Sequence, residues 1–214
     1  MSQGEMPAYQ RRSRENREKI VRALDEALKE KPFDQVSVAE LAERAGVAVG
    51  TVYQRFKNKE ALIPVILEIY RARLEAWAQG EGRIEIEPKE GLRAALRKVM
   101  RQAWTAFQRE AHLLRAVHIN ARLHPELVAS DEWDKYAKAA VAAIKTLIKI
   151  FEAEVERANV QRATAFAAYV FNSIMIEKGL YPDETPGSFF KPSGRAFADE
   201  CADMLYAYLT LPEA

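Results

Sequence analysis

Residues able to bind a polyanion are concentrated between Ser37 and Lys59. Residues 44–59 contain no acidic side chain, although a solvated protein face ordinarily mixes charges of both signs. Hydroxyl, phenol and ammonium groups hold phosphate and position a protein on nucleic acid without specifying sequence. Ser37, Tyr53 and Lys59 carry those groups. The basic side chains of the segment are Arg44, Arg55, Lys57 and Lys59.

Three other side chains of this segment have the chemistry to contact base edges. Gln54 can form a bidentate contact with adenine, and Val49 or Thr51 can touch a thymine methyl group. Gly50 has no side chain, so the backbone could approach a duplex closely there. The expected interface therefore combines phosphate contacts with base contacts.

The pattern around these residues predicts two short helices joined by a tight turn, which is the helix-turn-helix arrangement. Ser37 is placed to cap a helix over residues 38–45, and Gly46 can end it in a left-handed conformation. A second helix is expected over residues 49–56. Paired short helices also occur in bundles that bind no DNA, and the acid-free stretch favours the DNA-binding interpretation.

The chain as a whole is predicted to be all-α. Its 214 residues are 49% hydrophobic and 29% charged, an ordinary globular balance, and apolar residues recur with helical period between sparse glycines and prolines. About nine helices are expected. The first helix is expected to end near Lys31, and the helix-turn-helix pair follows it. The later helices are expected over 59–79, 88–109 and 111–123, in a segment after Pro125 that ends near 157, over 160–178 with a stop at Gly179, and over 195–210. One long loop is expected over 180–194.

We place a domain boundary between residues 58 and 59. Residues 1–58 form the expected DNA-binding helix-turn-helix domain, and residues 59–214 form a larger helical bundle for ligand binding and dimerisation. The basic stretch Tyr9–Arg17 has two interpretations. It is either a frayed, solvated terminus or an arm that reaches phosphates or the minor groove.

The run SVAELAERAGVAVGTVYQRFKNKEAL, Ser37 to Leu62, closely resembles the DNA-binding signature of the TetR (tetracycline repressor) family. The resemblance implies that Ser37, Gly50, Tyr53 and Lys59 contact the DNA backbone. It implies that Val49, Thr51 and Gln54 face base edges. The sequence departs from the family at Ala48, where serine is common and would cap the second helix. Arg55 stands where histidine is frequent.

The resemblance also implies a homodimer and a ligand cavity in the larger domain. TetR-like proteins dimerise through their last two helices, and the helix over 160–178 is apolar nearly all round, as expected of a helix covered on two sides. The expected dimer residues are Phe166, Val170, Phe171, Ile174, Phe197, Cys201, Leu205 and Tyr208. The expected ligand-binding residues, polar or aromatic groups in apolar surroundings, are Trp104, Phe107, His118, Arg122, Tyr169 and Asn172.

Catalysis and metal binding receive no support from the sequence. A Gly-rich phosphate loop and a zinc-protease motif are both missing, and His112, His118 and His124 are spaced by six residues, which does not align them on one helical face. The single cysteine, Cys201, excludes an intramolecular disulfide and is expected to be a small buried apolar residue. No catalytic residue, metal ligand or cofactor is predicted. With no secretory signal and no apolar run long enough for a membrane span, a cytoplasmic location is expected.

The expected function is a transcriptional repressor that leaves a palindromic DNA operator when a small-molecule inducer binds. One alternative is an activator, or a DNA-binding protein of the same fold without an effector. A second alternative, of a different class, is a helical enzyme or interaction module that contains a helix-turn-helix. Sequence-specific duplex binding with a steep salt dependence distinguishes the regulator.

Overall fold

The structure is a computed structural model that describes residues 8–180 and 194–212. Within these residues every regular element is helical, which confirms the predicted all-α class and the number of helices. Single 3-10 turns follow α1, precede α4, α5 and α7, and follow α7. The nine α-helices are α1 Ala8–Glu30, α2 Val38–Ala45, α3 Val49–Arg55, α4 Ile63–Gln79, α5 Leu92–Arg109, α6 Ala111–Leu123, α7 Ser130–Ile150, α8 Val160–Leu180 and α9 Gly194–Thr210.

The chain divides into two compact units. The first comprises the described residues up to Tyr70 together with Arg115–Val128. The second comprises Arg71–Leu114 and the described residues from Ala129 onward. Helices α4 and α6 each contribute residues to both units. The domain boundary between residues 58 and 59 stays a prediction.

The core of the first unit is built by the predicted stripe of α1 packed on α2. Ile20, Leu24 and Ala27 are all fully buried. Opposite them, Leu41 of α2 is fully buried, and Ala42 is 1% exposed, so a small side chain stands at the packed α1–α2 face. Burying an aliphatic side chain of this size contributes about 1.5–3 kcal/mol. Several such residues therefore hold the two helices together.

The ends of α2 match the sequence prediction. Ser37 Oγ accepts a hydrogen bond from the backbone N–H of Glu40 at 3.1 Å, which satisfies one of the free donors in the first turn. Gly46 has φ +63°, and the following residue, Val47, donates its N–H to the carbonyl of Ala42 at 3.0 Å. This left-handed glycine turns the chain sharply from α2 into α3.

The second unit is built around α5 packed along α9. α5 buries a stripe at helical spacing that includes Leu92, Leu96 and Met100, and α9 buries Phe197, Cys201 and Leu205 in return. None of the helices in the part described is long and apolar enough to cross a membrane.

Four predicted boundaries were wrong. The segment expected to end near residue 157 is α7, which ends at Ile150 and is followed by the 3-10 turn Glu152–Glu154. Gly179 does not end α8, which continues through it to Leu180. A Cβ at Gly179 would lie 3.0 Å from Leu114 Cδ2, so the glycine leaves room for that side chain. The helix expected from Pro88 is a 3-10 turn, Pro88–Glu90, followed by Gly91 at φ +78° and then α5. The helix expected from Lys59 likewise begins with a 3-10 turn, Glu60–Leu62, before α4. At the ends of the predicted loop 180–194, Leu180 lies in α8 and Gly194 in α9; residues 181–193 lie outside the described residues.

Candidate nucleic-acid interface

Helix α3 is anchored by one face and presents the other to solvent. Val52 is 1% exposed and holds the helix in the core of the first unit. On the outer face, Val49 is 43% exposed and Tyr53 is 53% exposed. Gln54 is also exposed, and a Cβ at Gly50 would meet nothing within 4 Å. These four residues form the uncovered face of a helix, and a major groove admits an α-helix.

The start of α3 has the feature expected from Ala48. Ala48 is the N-cap residue of α3, and its side chain makes no capping hydrogen bond. The following Thr51 is half-buried, so less of its side chain is available than of Val49. Its contact with a base stays a prediction.

Ser37 and Lys59 are each engaged in local contacts. Ser37 accepts the capping hydrogen bond described above, and a hydroxyl keeps its own O–H for donation. Lys59 Nζ donates to the carbonyl of Asp34 at 2.8 Å and lies 4.8 Å from the centre of the Phe33 ring. An ammonium group has three donors, so Lys59 is held in place and retains donors for phosphate.

The acid-free stretch is less positive than its sequence indicates, because Arg44 is neutralised. Its guanidinium contacts Glu30 at 2.6 Å and Glu40 at 3.0 Å. The hydrogen bond from Arg44 lowers the pKa of Glu30, and the hydrogen bond from Lys31 lowers the pKa of Glu40. Arg44 therefore holds α2 to the end of α1. The partner acids lie outside residues 44–59, so the charge count could not reveal the pairing.

The basic stretch Tyr9–Arg17 is helical where it is described, because α1 begins at Ala8. Arg11, Arg12 and Arg14 are exposed, and both interpretations, the solvated terminus and the arm on DNA, stay predictions. Arg17 pairs with Glu68 at 2.8 Å, and Arg55 at the end of α3 donates a hydrogen bond to Ser13. The amino-terminal turns of α1 are thus tied to both α3 and α4.

The predicted ligand-binding residues do not share one environment. In the second unit Trp104 and Phe107 are buried, while Tyr169 is 69% exposed and Asn172 is half-buried. In the first unit His118 is buried, and burial together with the nearby charge of Arg122 lowers the pKa of His118 to about 4. Arg122 itself is exposed. The roles of all six in binding a ligand stay predictions.

The predicted dimer residues differ in how far they are buried. Phe166 is 48% exposed, whereas Phe197, Cys201 and Leu205 are buried within their own unit. Four other exposed apolar side chains were not among the predicted dimer residues. These exposed side chains are Val160, Tyr169, Met204 and Leu211. The remaining predicted dimer residues are half-buried: Val170, Phe171, Ile174 and Tyr208.

Burial also controls the chemistry of Cys201. It is a free thiol, and desolvation, with a smaller effect from the charge of Glu200, raises its pKa to about 11. The thiolate is the reactive form of cysteine. This environment agrees with the predicted structural role.

Comparison with known proteins finds a family match in the amino-terminal part of the chain. Residues 20–66 match the model described as bacterial regulatory proteins, tetR family. The uncharacterized HTH-type transcriptional regulator YvdT of Bacillus subtilis is 45% identical over 51 residues, which cover 24% of this chain and 26% of YvdT. The HTH-type transcriptional regulator TtgR of Pseudomonas putida is 26% identical over 121 residues, covering 56% and 54% of the two chains. The matches thus span about a quarter and about half of these curated relatives.

The fold agrees along nearly the whole chain. The transcriptional regulator FadR from Bacillus subtilis, solved in complex with stearoyl-CoA, superposes with a TM-score of 0.63 at 18% identity, covering 88% of this chain and 97% of FadR. At that identity the likeness shows the fold alone. The match over residues 20–66 supports a DNA-binding transcriptional regulator of the TetR family, as the resemblance implied.

Proposed function

We propose that the protein is a homodimeric repressor that binds a palindromic operator and leaves it when a small molecule binds the larger helical region. The observation that carries the proposal is the geometry of α3, in which Val52 is buried while Val49, Tyr53 and Gln54 face outward. The bases are read by Val49, Thr51 and Gln54. The DNA backbone is contacted by Ser37, Gly50, Tyr53 and Lys59. The protein acts in the cytoplasm, where its DNA is found.

The second subunit of the dimer is a copy of this chain bound through α8 and α9. The proposal is supported by the apolar side chains that these helices leave uncovered, among them Phe166 at 48%, Tyr169 at 69% and Met204 at 42% exposure. The rings of Phe166 and Tyr208 lie 5.1 Å apart, so aromatic side chains of the two helices contact each other. Exposed apolar patches of this kind mark interaction sites.

Release from DNA is a population shift. A ligand favours a conformation in which the two α3 helices no longer match half-sites about 34 Å apart, and it does so only by binding that conformation more tightly. Support comes from FadR, whose structure contains stearoyl-CoA. Helix α4 is the proposed connection, since its residues belong to both units.

Selection from a random duplex library tests the operator proposal. We expect the bound sequences to converge on two related half-sites in inverted order, with centres about one helical turn or a multiple of it apart. Recovery of unrelated sequences at every salt concentration would contradict sequence-specific binding. Recovery of one unpaired half-site would contradict the dimer.

The oligomeric state has its own test. Phe166→Glu places a charge in the proposed interface, and we expect sedimentation or light scattering to give a monomer mass for this variant and a dimer mass for the wild type. Leu123→Glu is the matched control, since Leu123 is 70% exposed on α6 outside the proposed surface. A dimer that survives Phe166→Glu would contradict the assignment of this face.

A further inference from the structure

Helix α1 carries seven basic side chains, and four of them have acidic partners. Arg17 pairs with Glu68 of α4, and the other three pair with acids about one turn away on α1 itself. These four residues are Arg11, Arg14, Arg17 and Lys29. The three basic residues of α1 that have no acidic partner among the described residues are Arg12, Lys19 and Arg22.

Arg12, Lys19 and Arg22 lie on one side of α1, and we call them the α1 row. Lys19 follows Arg12 by about two turns, and Arg22 is rotated from Arg12 by about a quarter turn, since the helix has 3.6 residues per turn. All three are exposed. At 1.5 Å per residue the row is about 15 Å long.

The α1 row borders the helix-turn-helix along its whole length. Ser13, next to Arg12, accepts a hydrogen bond from Arg55, the last residue of α3. The other two members of the row line an open groove of about 430 Å³ together with Ala45, the last residue of α2. The row therefore extends from the end of α3 back to the turn between α2 and α3.

The other charged groups on this side of α1 are engaged with each other or with neighbouring acids. Glu26 lines the groove and is bound by Lys29 at 2.7 Å. Glu15 pairs with Arg11 at 3.7 Å. Arg44 also lines the groove, and two glutamates neutralise its charge. The excess of positive charge on this side therefore comes from the α1 row.

We propose that the α1 row binds the phosphate backbone of the DNA beside the groove in which α3 lies. Phosphates of one strand advance by about 3.4 Å along the duplex, so a row about 15 Å long spans several of them. Such contacts add affinity without specifying sequence. Of the basic stretch Tyr9–Arg17, the proposal retains Arg12 alone and continues past the stretch to Lys19 and Arg22. It rests on the proposed operator binding by α3 and adds a second helix to that interface.

The salt dependence of binding to a selected duplex tests the α1 row in the full-length protein. Each phosphate contact contributes about −0.9 to the slope of log affinity against log salt concentration. The triple variant Arg12→Gln/Lys19→Gln/Arg22→Gln is therefore expected to reduce the steepness of this slope by about 2.7. Its affinity should fall at least about tenfold at 0.1 M salt. The ratio of affinities for the selected and an unrelated duplex should not change, because phosphate contacts carry no sequence information.

Two controls separate the α1 row from a general loss of charge. Arg14 lies two residues after Arg12, on nearly the opposite side of α1, and pairs with Glu18 at 3.6 Å. Arg14→Gln should therefore change the slope less than Arg12→Gln. A second triple variant removes three exposed charges from α7 and should leave the slope unchanged: Lys138→Gln/Lys145→Gln/Lys149→Gln. Thermal melting shows whether each variant is folded.

Ethylation interference locates the contacts on the DNA. In this measurement, phosphates whose ethylation prevents binding of the wild-type protein are mapped on the selected duplex. Those bound by the α1 row should tolerate ethylation in the α1 triple variant and should stay sensitive in the α7 triple variant. An identical pattern for the wild type and the α1 triple variant would contradict direct contact.

Other outcomes would also overturn the proposal. They are an unchanged slope in the α1 triple variant, equal changes in the α1 and α7 triple variants, and equal effects of Arg12→Gln and Arg14→Gln. Failure of the operator proposal has a different signature. In that case the wild-type protein itself shows no preference for the selected duplex, which is measured by the ratio of affinities and not by the slope.

Discussion

Asp203 of α9 accepts hydrogen bonds from Arg97 of α5 at 2.6 Å and 3.0 Å, and the same carboxylate is bound by Arg93 at 2.8 Å. Asp199, one turn earlier on α9, is bound by Arg101. Two carboxylates and three guanidinium groups thus form a ladder between the two helices. Bidentate pairs of this kind are stronger than ordinary surface ion pairs, so the ladder fixes how α9 lies along α5.

Because of this ladder, the free energy of unfolding depends on pH in the acidic range. Hydrogen bonds from Arg93 and Arg97 lower the pKa of Asp203 well below its usual value. A carboxyl with a depressed pKa in the folded state contributes its full stability above its unfolded pKa of about 3.9, and the contribution is lost as pH falls below that value. Asp203→Ala should therefore lower the free energy of unfolding by about 1 kcal/mol at neutral pH.

Denaturant unfolding at neutral pH and near pH 3 measures this effect. Glu200→Ala, an exposed acid on the same helix, is the control and should change little. Equal destabilisation by the two substitutions would show that the ladder contributes nothing specific.

Substitution of Gly46 is expected to lower the stability of the protein because of its backbone conformation alone. Its φ is +63°, and a Cβ there would meet nothing within 4 Å. Gly46→Ala should therefore cost about 1 kcal/mol from the left-handed conformation. Gly50 also has open space around it but lies inside α3, where alanine is favoured over glycine by up to about 1 kcal/mol. Thermal melting should show Gly46→Ala destabilised and Gly50→Ala not; the reverse order would contradict the turn.

His118 should make the protein less stable in mild acid. Burial lowers its folded pKa to about 4, against about 6.5 in the unfolded chain. Between these values the unfolded state binds the extra proton, so stability falls as pH drops from about 6.5 to about 4. His118→Gln should reduce this slope in unfolding experiments, while His124→Gln, at a site whose side chain is 54% exposed, should not. An identical slope in all three proteins would exclude a buried neutral His118.

The helix-turn-helix could be predicted from the sequence because its signals are local. The cap at Ser37, the left-handed Gly46 and the buried Val52 depend on neighbours within a few residues. The same holds for the missing cap at Ala48. Short-range rules of backbone geometry therefore predicted this part of the fold and most of its candidate site.

Long-range pairing could not be predicted in the same way. Arg44 pairs with Glu30, 14 residues away, and Arg97 pairs with Asp203, 106 residues away. Periodicity also identifies an apolar stripe without saying what covers it. For this reason Phe197 and Leu205 were assigned to a partner subunit, although α9 buries them within its own unit. The exposed Tyr169 and Met204 were left out of the expected interface.

The most direct test of the central claim compares affinities for a selected duplex and for an unrelated duplex at one salt concentration. Gln54→Ala should lower the ratio of these affinities by about tenfold, since a bidentate base contact is worth about 1–3 kcal/mol. Tyr53→Ala should weaken binding to both duplexes by a similar factor, because phosphate contacts are independent of the DNA sequence. Gln108→Ala, an exposed glutamine of α5, should change neither. An unchanged ratio in Gln54→Ala, together with unchanged affinity in Tyr53→Ala, would contradict DNA reading by α3.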